Sequence, residues 1–167
     1  MKTRSSQKGV GLIEILVALL VLAIGILGFI ALQYRSVEAT SEAINRVQAM
    51  NVARDMAERI RVNRDAIATY KTETETADSQ TSFAKDCTSE GCSAIELADY
   101  DVAQVTAKAA VLGMTVNMLG CPGNNDGRNC LYVAWGDTSA TDGTTAGDCT
   151  NGTAYVSTST CVIMETY

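Results

Sequence analysis

The chain of 167 residues contains no histidine. Without an imidazole there is no Ser-His-Asp or Cys-His nucleophile system and no His-ligated metal site. Proline occurs once, at Pro122, and aromatic residues make up only 5% of the chain. Positive charge is scarce as well: 13 Lys+Arg stand against 19 Asp+Glu, for a net charge of −6. A general nucleic-acid binder needs a basic footprint, so no nucleic acid is expected as a partner. At about 100–200 residues per domain, the length allows one globular domain with attachments and excludes a large multi-domain enzyme.

What is present is unevenly placed. Hydrophobic residues make up 47% of the chain, and a large share of them lies in one block near the N-terminus. From Val10 to Leu32 the only charged residue is Glu14. A helix over that run is roughly 34 Å long, enough to cross a hydrocarbon core of about 30 Å. Lys2, Arg4 and Lys8 precede it and only Arg35 follows closely, so the positive-inside bias puts the N-terminus in the cytoplasm and the remainder outside. A cleaved secretory signal would have an apolar region of about 7–15 residues and a small-residue cleavage site, and this run is too long for that. Six cysteines in so short a chain fit a disulfide-stapled extracytoplasmic domain, in the periplasm or at the cell surface.

Glu14 is the odd residue of the apolar run, because a carboxylate in lipid costs roughly 2.5–3.5 kcal/mol and calls for a partner. With Lys8-Gly9-Val10-Gly11-Leu12-Ile13 before it, the segment resembles the type III signal of type IV prepilins. The resemblance implies cleavage between Gly9 and Val10 by a prepilin peptidase that also N-methylates Val10. Residues 1–9 are then a leader and 10–32 a transmembrane and filament-core helix. The resemblance further implies that Glu14 meets the free N-terminal amine of a neighbouring subunit, which compensates its buried charge. Ala31 stands where many major pilins have proline, which points to a minor pilin. Without the resemblance, the same residues read as a plain single-pass anchor.

Beyond Leu32, Val37, Ile44, Val47, Met56, Ile60 and Ile67 recur at helical spacing, and no Gly or Pro interrupts residues 29–90. One continuous helix to about Tyr70 is expected, with 33–70 as an amphipathic stalk. Its arginines, Arg59 and Arg61 among them, read as a solvated face with intrahelical pairs such as Glu58 with Arg61. The sharper alternative pairs them with acidic residues of adjacent subunits. The stretch Asn51-Val52-Ala53-Arg54-Asp55-Met56-Ala57-Glu58-Arg59-Ile60-Arg61-Val62-Asn63-Arg64 resembles the stalk of PilV-type minor pilins, as does Leu19–Gly28.

Residues 71–167 form the expected globular head, acidic with four basic against thirteen acidic side chains. Ser93-Ala94-Ile95-Glu96 reads as a capping box opening a helix over about 93–112. Met114–Met118 and Leu131–Trp135 read as a hairpin, Ala154–Ser157 and Cys161–Glu165 as later strands, and Gly136–Thr153 as an exposed loop rich in Gly, Thr and Asp. Neighbouring cysteines suggest the pairs Cys87/Cys92, Cys121/Cys130 and Cys149/Cys161, although six cysteines allow 15 connectivities. Structural disulfides fit these spacings better than zinc, and no metal or other cofactor is expected. Asn124-Asn125-Asp126-Gly127 lacks the acidic residues of a calcium loop and reads as a turn. Ser82-Phe83-Ala84-Lys85 matches S-x-x-K without the companion motifs of acylating enzymes. Asn151-Gly152-Thr153 fits an N-x-[ST] sequon.

The fold expected is therefore α+β, the type IV pilin fold: a long N-terminal helix and a small disulfide-stapled antiparallel β-sheet head. The resemblance implies a minor pilin that primes pilus assembly, with effects on adhesion and twitching motility and without catalytic residues. Its partners would be other minor pilins, the major pilin, the prepilin peptidase and the inner-membrane assembly platform. It would lie in the inner membrane before assembly, its head in the periplasm, and on the cell surface afterwards. The alternatives are a minor pseudopilin of type II secretion and, in another class, a membrane-tethered periplasmic redox or binding domain.

Overall fold

The computed structural model describes residues 11–76, 79–124 and 126–166, and the chain divides into two compact units, Met1–Ala43 and Ile44–Tyr167. The described part of the first unit is helical. Helix α1 (Leu12–Val62) starts where the Glu14 N–H donates to the Gly11 carbonyl at 2.9 Å, and it supplies the first unit up to Ala43. Every large apolar side chain from Leu12 to Leu32 is at least half exposed, between 50% at Ile26 and 91% at Leu12.

The second unit takes the rest of α1 as one wall of its core. The helix ends earlier than the expected Tyr70. Asn63 leaves helical geometry, a single 3-10 turn follows at Arg64–Ala66, and α2 (Ile67–Glu75) resumes. No Gly or Pro causes this break. The Asn63 side chain is buried and donates to the Ala94 carbonyl at 2.7 Å and to the Tyr70 hydroxyl at 3.4 Å, so tertiary bonds outcompete the helical ladder.

Helix α3 (Ala94–Val111) begins at Ser93 with a full capping box. The Glu96 N–H donates to the Ser93 hydroxyl at 3.4 Å, and the Ser93 N–H donates to the Glu96 carboxylate at 2.7 Å. Five strands follow: β1 (Met114–Gly120), β2 (Asn129–Trp135), β3 (Ser139–Asp142), β4 (Asp148–Thr150) and β5 (Cys161–Thr166). β1, β2 and β5 form an antiparallel sheet in the order β1-β2-β5, with Met114 opposite Trp135 and Val133 opposite Val162.

The central strand β2 is buried on both faces, as its apolar run Cys130–Trp135 requires. One face carries Met114, Val116, Met118, Leu131, Val133 and Trp135 against Ala53, Met56 and Ile60 of α1, Tyr70 of α2, and Val102 and Val105 of α3. The other carries Cys130, Tyr132, Ala134 and Cys161 against Ala140 and Cys149. The disulfides join Cys87 to Cys92, Cys121 to Cys130 and Cys149 to Cys161.

Gly136–Thr153 is thus not simply an exposed loop. It contains β3 and β4, which pair in parallel, and it covers the back of the sheet with Thr138, Ala140, Cys149 and Thr150 buried. Side-chain hydrogen bonds hold it instead of apolar periodicity: the Thr150 hydroxyl donates to Asp142 at 2.6 Å and the Thr141 hydroxyl to Asp148 at 2.5 Å. Ala154–Ser157 is likewise not a strand. Only an isolated bridge between Thr150 and Tyr155 forms there, made by the Val156 N–H donating to the Cys149 carbonyl and the Asn151 N–H donating to the Ala154 carbonyl.

Candidate anchoring and assembly surfaces

The apolar surface of α1 is the first candidate. Leu, Ile and Val at 14 of the 21 positions from Leu12 to Leu32 give a helix long and apolar enough to cross a membrane. Glu14 lies in its first turn, where a carboxylate favours the positive end of the helix dipole, and its side chain is exposed. Gly9, Val10 and the leader cations Lys2, Arg4 and Lys8 lie outside the described residues.

The second candidate is a polar cluster inside the head, which sequence reasoning missed. Asp101 of α3 is only 5% exposed, and it accepts from the Arg59 guanidinium at 2.5 Å and from the Tyr70 hydroxyl at 2.6 Å. Arg59 also donates to Asp55 at 2.8 Å, and Lys108 reaches the same carboxylate at 2.9 Å. Asn63 closes the cluster through Tyr70. Arg59 thus makes an intrahelical pair with Asp55, of the kind expected, and in addition a bond to α3 that a solvated face did not lead one to expect. Arg61 pairs with Glu58 at 3.9 Å.

Burial opposes charge on Asp55 and alone would raise its pKa. The hydrogen bonds from Arg59 and Lys108 outweigh it and hold the carboxyl below its ordinary range. Burial also works against the Arg59 guanidinium, and Asp55 and Asp101 outweigh it, raising its pKa. Burial, joined by the bond to Asp101, pushes the Tyr70 phenol above its ordinary value. One signal in the sequence pointed here. Asp101 falls on the same helical face as Ala98, Val102, Val105 and Ala109, and a charge on an apolar stripe needs a partner.

The six cysteines are brought together as three crosslinks, and among the described residues no group of His, Cys, Asp or Glu is arranged to hold a metal ion. Asn151–Thr153 forms an exposed turn. The S-x-x-K lysine, Lys85, is tied to the Gly91 carbonyl at 2.6 Å and lies 3.8 Å from Glu96, which pins the Cys87–Cys92 loop to the start of α3.

A long apolar N-terminal helix, followed in the chain by a small antiparallel sheet with three disulfides, defines the α+β type IV pilin fold. Residues 31–103 match the family model described as Type IV pilin Tt1218, and residues 4–30 match the prokaryotic N-terminal methylation motif. The two matches adjoin, and together they span the signal, α1, α2 and the start of α3. No curated protein and no solved structure matches the chain significantly. The chain belongs to the type IV pilin-like prepilins. Membership implies processing by prepilin peptidase and assembly into a pilus-type filament, and the apolar helix with this motif fits an inner-membrane anchored pilin.

Proposed function

We propose that this protein is a PilV-type minor pilin, a non-catalytic subunit that enters a tip or priming complex and promotes assembly of a type IV pilus. The observation carrying this reading is the adjoining pair of matches, a methylation motif over 4–30 and a pilin model over 31–103. The stretch Asn51–Arg64 and the absence of proline at Ala31 support the minor, PilV-type assignment. Cleavage after Gly9 exposes Val10 for methylation, Glu14 receives the amine of a neighbouring subunit, and the acidic head faces the periplasm and then the outside of the filament. Adhesion and twitching motility follow from the pili so formed.

Intact mass of the protein from membranes and from sheared pili tests this, in wild-type cells and in a strain lacking prepilin peptidase. The reading requires loss of Met1–Gly9, one added methyl group and presence in the sheared fraction, all dependent on the peptidase. A full-length, unmethylated protein confined to membranes in both strains overturns it. In a deletion strain, loss of pili with secretion intact supports the pilus assignment, and the reverse result assigns the protein to type II secretion.

A further inference from the structure

We infer that the open edge of β5, with the arginine-bearing face of α1 beside it, is a docking site for an extended acidic segment of another protein, taken up as an added strand. The two edges of the main sheet are unlike. The β1 edge is closed by side chains: Gln80 donates to the Val116 carbonyl at 3.2 Å, and Asn117 accepts from the Met118 N–H at 2.8 Å while donating to the Ala140 carbonyl at 3.1 Å. β5 ends the sheet on the other side and has no strand partner there. Among the described residues one hydrogen bond reaches its outer backbone, from the Ile163 N–H to the hydroxyl of the half-exposed Tyr155 at 3.1 Å. That bond fixes the alternation, so Cys161, Ile163 and Glu165 turn their backbone groups away from β2. Such a row is a template for strand addition.

Two grooves run along this edge. One of about 310 Å³ lies between Arg54, Glu58 and Arg61 of α1 and Met164 and Glu165 of β5. The other, of about 490 Å³, lies between Arg46 and Met50 of α1 and Tyr155, Val162 and Ile163. The charge along them is opposite in sign to the head, whose residues 71–167 hold thirteen acidic and four basic side chains. Both acidic groups in the grooves are compensated, Glu58 by Arg61 at 3.9 Å and Glu165 by Arg128 at 2.5 Å. Arg46 and Arg54 line successive grooves, are exposed, and make no ion pair or side-chain hydrogen bond among the described residues. Eight helical residues separate them, about 12 Å, which is the distance spanned by about four residues of a strand. The occupant is therefore an extended segment with carboxylates about four residues apart on one face. Tyr155 yields its bond to a carbonyl of that segment.

This assignment rests on the second unit alone, from Ile44 onward, so its failure leaves the processing experiment untouched. The test is fluorescence anisotropy of the full-length protein in detergent with a labelled peptide of alternating Val and Thr carrying two glutamates about four residues apart. Wild-type protein binds this peptide. R46E/R54E weakens binding by about tenfold or more, as does replacing both peptide glutamates with lysine. N-methylating the peptide amides on its pairing side abolishes binding while leaving the protein unchanged. Intact disulfides and wild-type Trp135 fluorescence establish that the variant is folded. No binding by wild-type protein, equal binding of the glutamate and lysine peptides, or indifference to N-methylation overturns the inference. So does self-association lost in R46E/R54E without any peptide binding, which assigns the edge to a second copy of the chain.

Discussion

Asp101 shows how one residue can determine a junction. Three helices of the head meet at its carboxylate, through Arg59 from α1, Tyr70 from α2 and its own place on α3. Replacing Asp101 with Ala leaves a guanidinium and a phenol facing an empty acceptor position, and losing one partner of a buried pair costs about 3 kcal/mol. Arg59 keeps Asp55 and some solvent, which places the loss at the lower end. The urea midpoint of the full chain in detergent, followed by the single Trp135, should fall accordingly, while Asp65→Ala at an exposed position stays within about 0.5 kcal/mol. The same cluster sets a pH response. The raised Tyr70 phenol contributes stability that is complete below its unfolded value near 10 and lost as pH rises beyond it, because the unfolded chain ionises first. Tyr132 is raised by burial too, so Tyr70→Phe should flatten only part of the alkaline decline in unfolding midpoint. An unchanged slope would show that Tyr70 ionises alike in both states. Asp55, lowered by its two cations, contributes above its unfolded value near 4 and loses that contribution as pH falls through its folded value.

Elements differ in how far their residues announce them. α3 is written in local chemistry, a capping box followed by apolar residues at helical spacing, and it forms at Ala94–Val111 where that pattern lies. Ser93→Ala removes the hydroxyl that accepts from Glu96 and should cost about 1 kcal/mol, read as a shift in denaturant midpoint. No shift would mean that the Cys87–Cys92 crosslink just before it fixes the start of the helix by itself. The β1–β2 hairpin is equally local, with period-two apolar residues on both sides of a Gly- and Asn-rich turn. β3 and β4 carry no such mark. They are four and three residues long and made of Ser, Ala, Thr, Asp and Cys, and their order comes from Thr–carboxylate bonds and the Cys149–Cys161 crosslink. The end of α1 was hidden for a related reason. Asn63 is stabilised outside the helix by Ala94, thirty-one residues away, a pairing that no local window contains. The candidate surfaces divide the same way: the Glu14 run is local and legible, whereas the Asp101 cluster and the β5 edge are made by residues distant in the chain.

At the scale of the whole molecule, the chain has two chemically opposite regions. Leu12–Leu32 is apolar with a single carboxylate, and residues 71–167 are strongly acidic. A hydrocarbon environment suits the first and penalises only Glu14, so the two possible roles of that residue make opposite demands. If Glu14 served membrane insertion alone, Glu14→Leu would remove a desolvation cost and the protein would accumulate in membranes and filaments at least as well as before. If Glu14 meets the amine of a neighbouring subunit, the same substitution still inserts and is still cleaved after Gly9, yet it leaves a buried ammonium without its counter-charge at every contact it makes. An unpaired buried charge costs several kcal/mol, and each 1.4 kcal/mol is a factor of about ten in population. The expected result is a normal mature mass and normal membrane abundance, with the sheared-pilus fraction reduced at least about tenfold relative to the membrane pool. Wild-type incorporation of Glu14→Leu would remove the intersubunit role, and loss of cleavage would place the requirement for Glu14 at the peptidase instead of the filament.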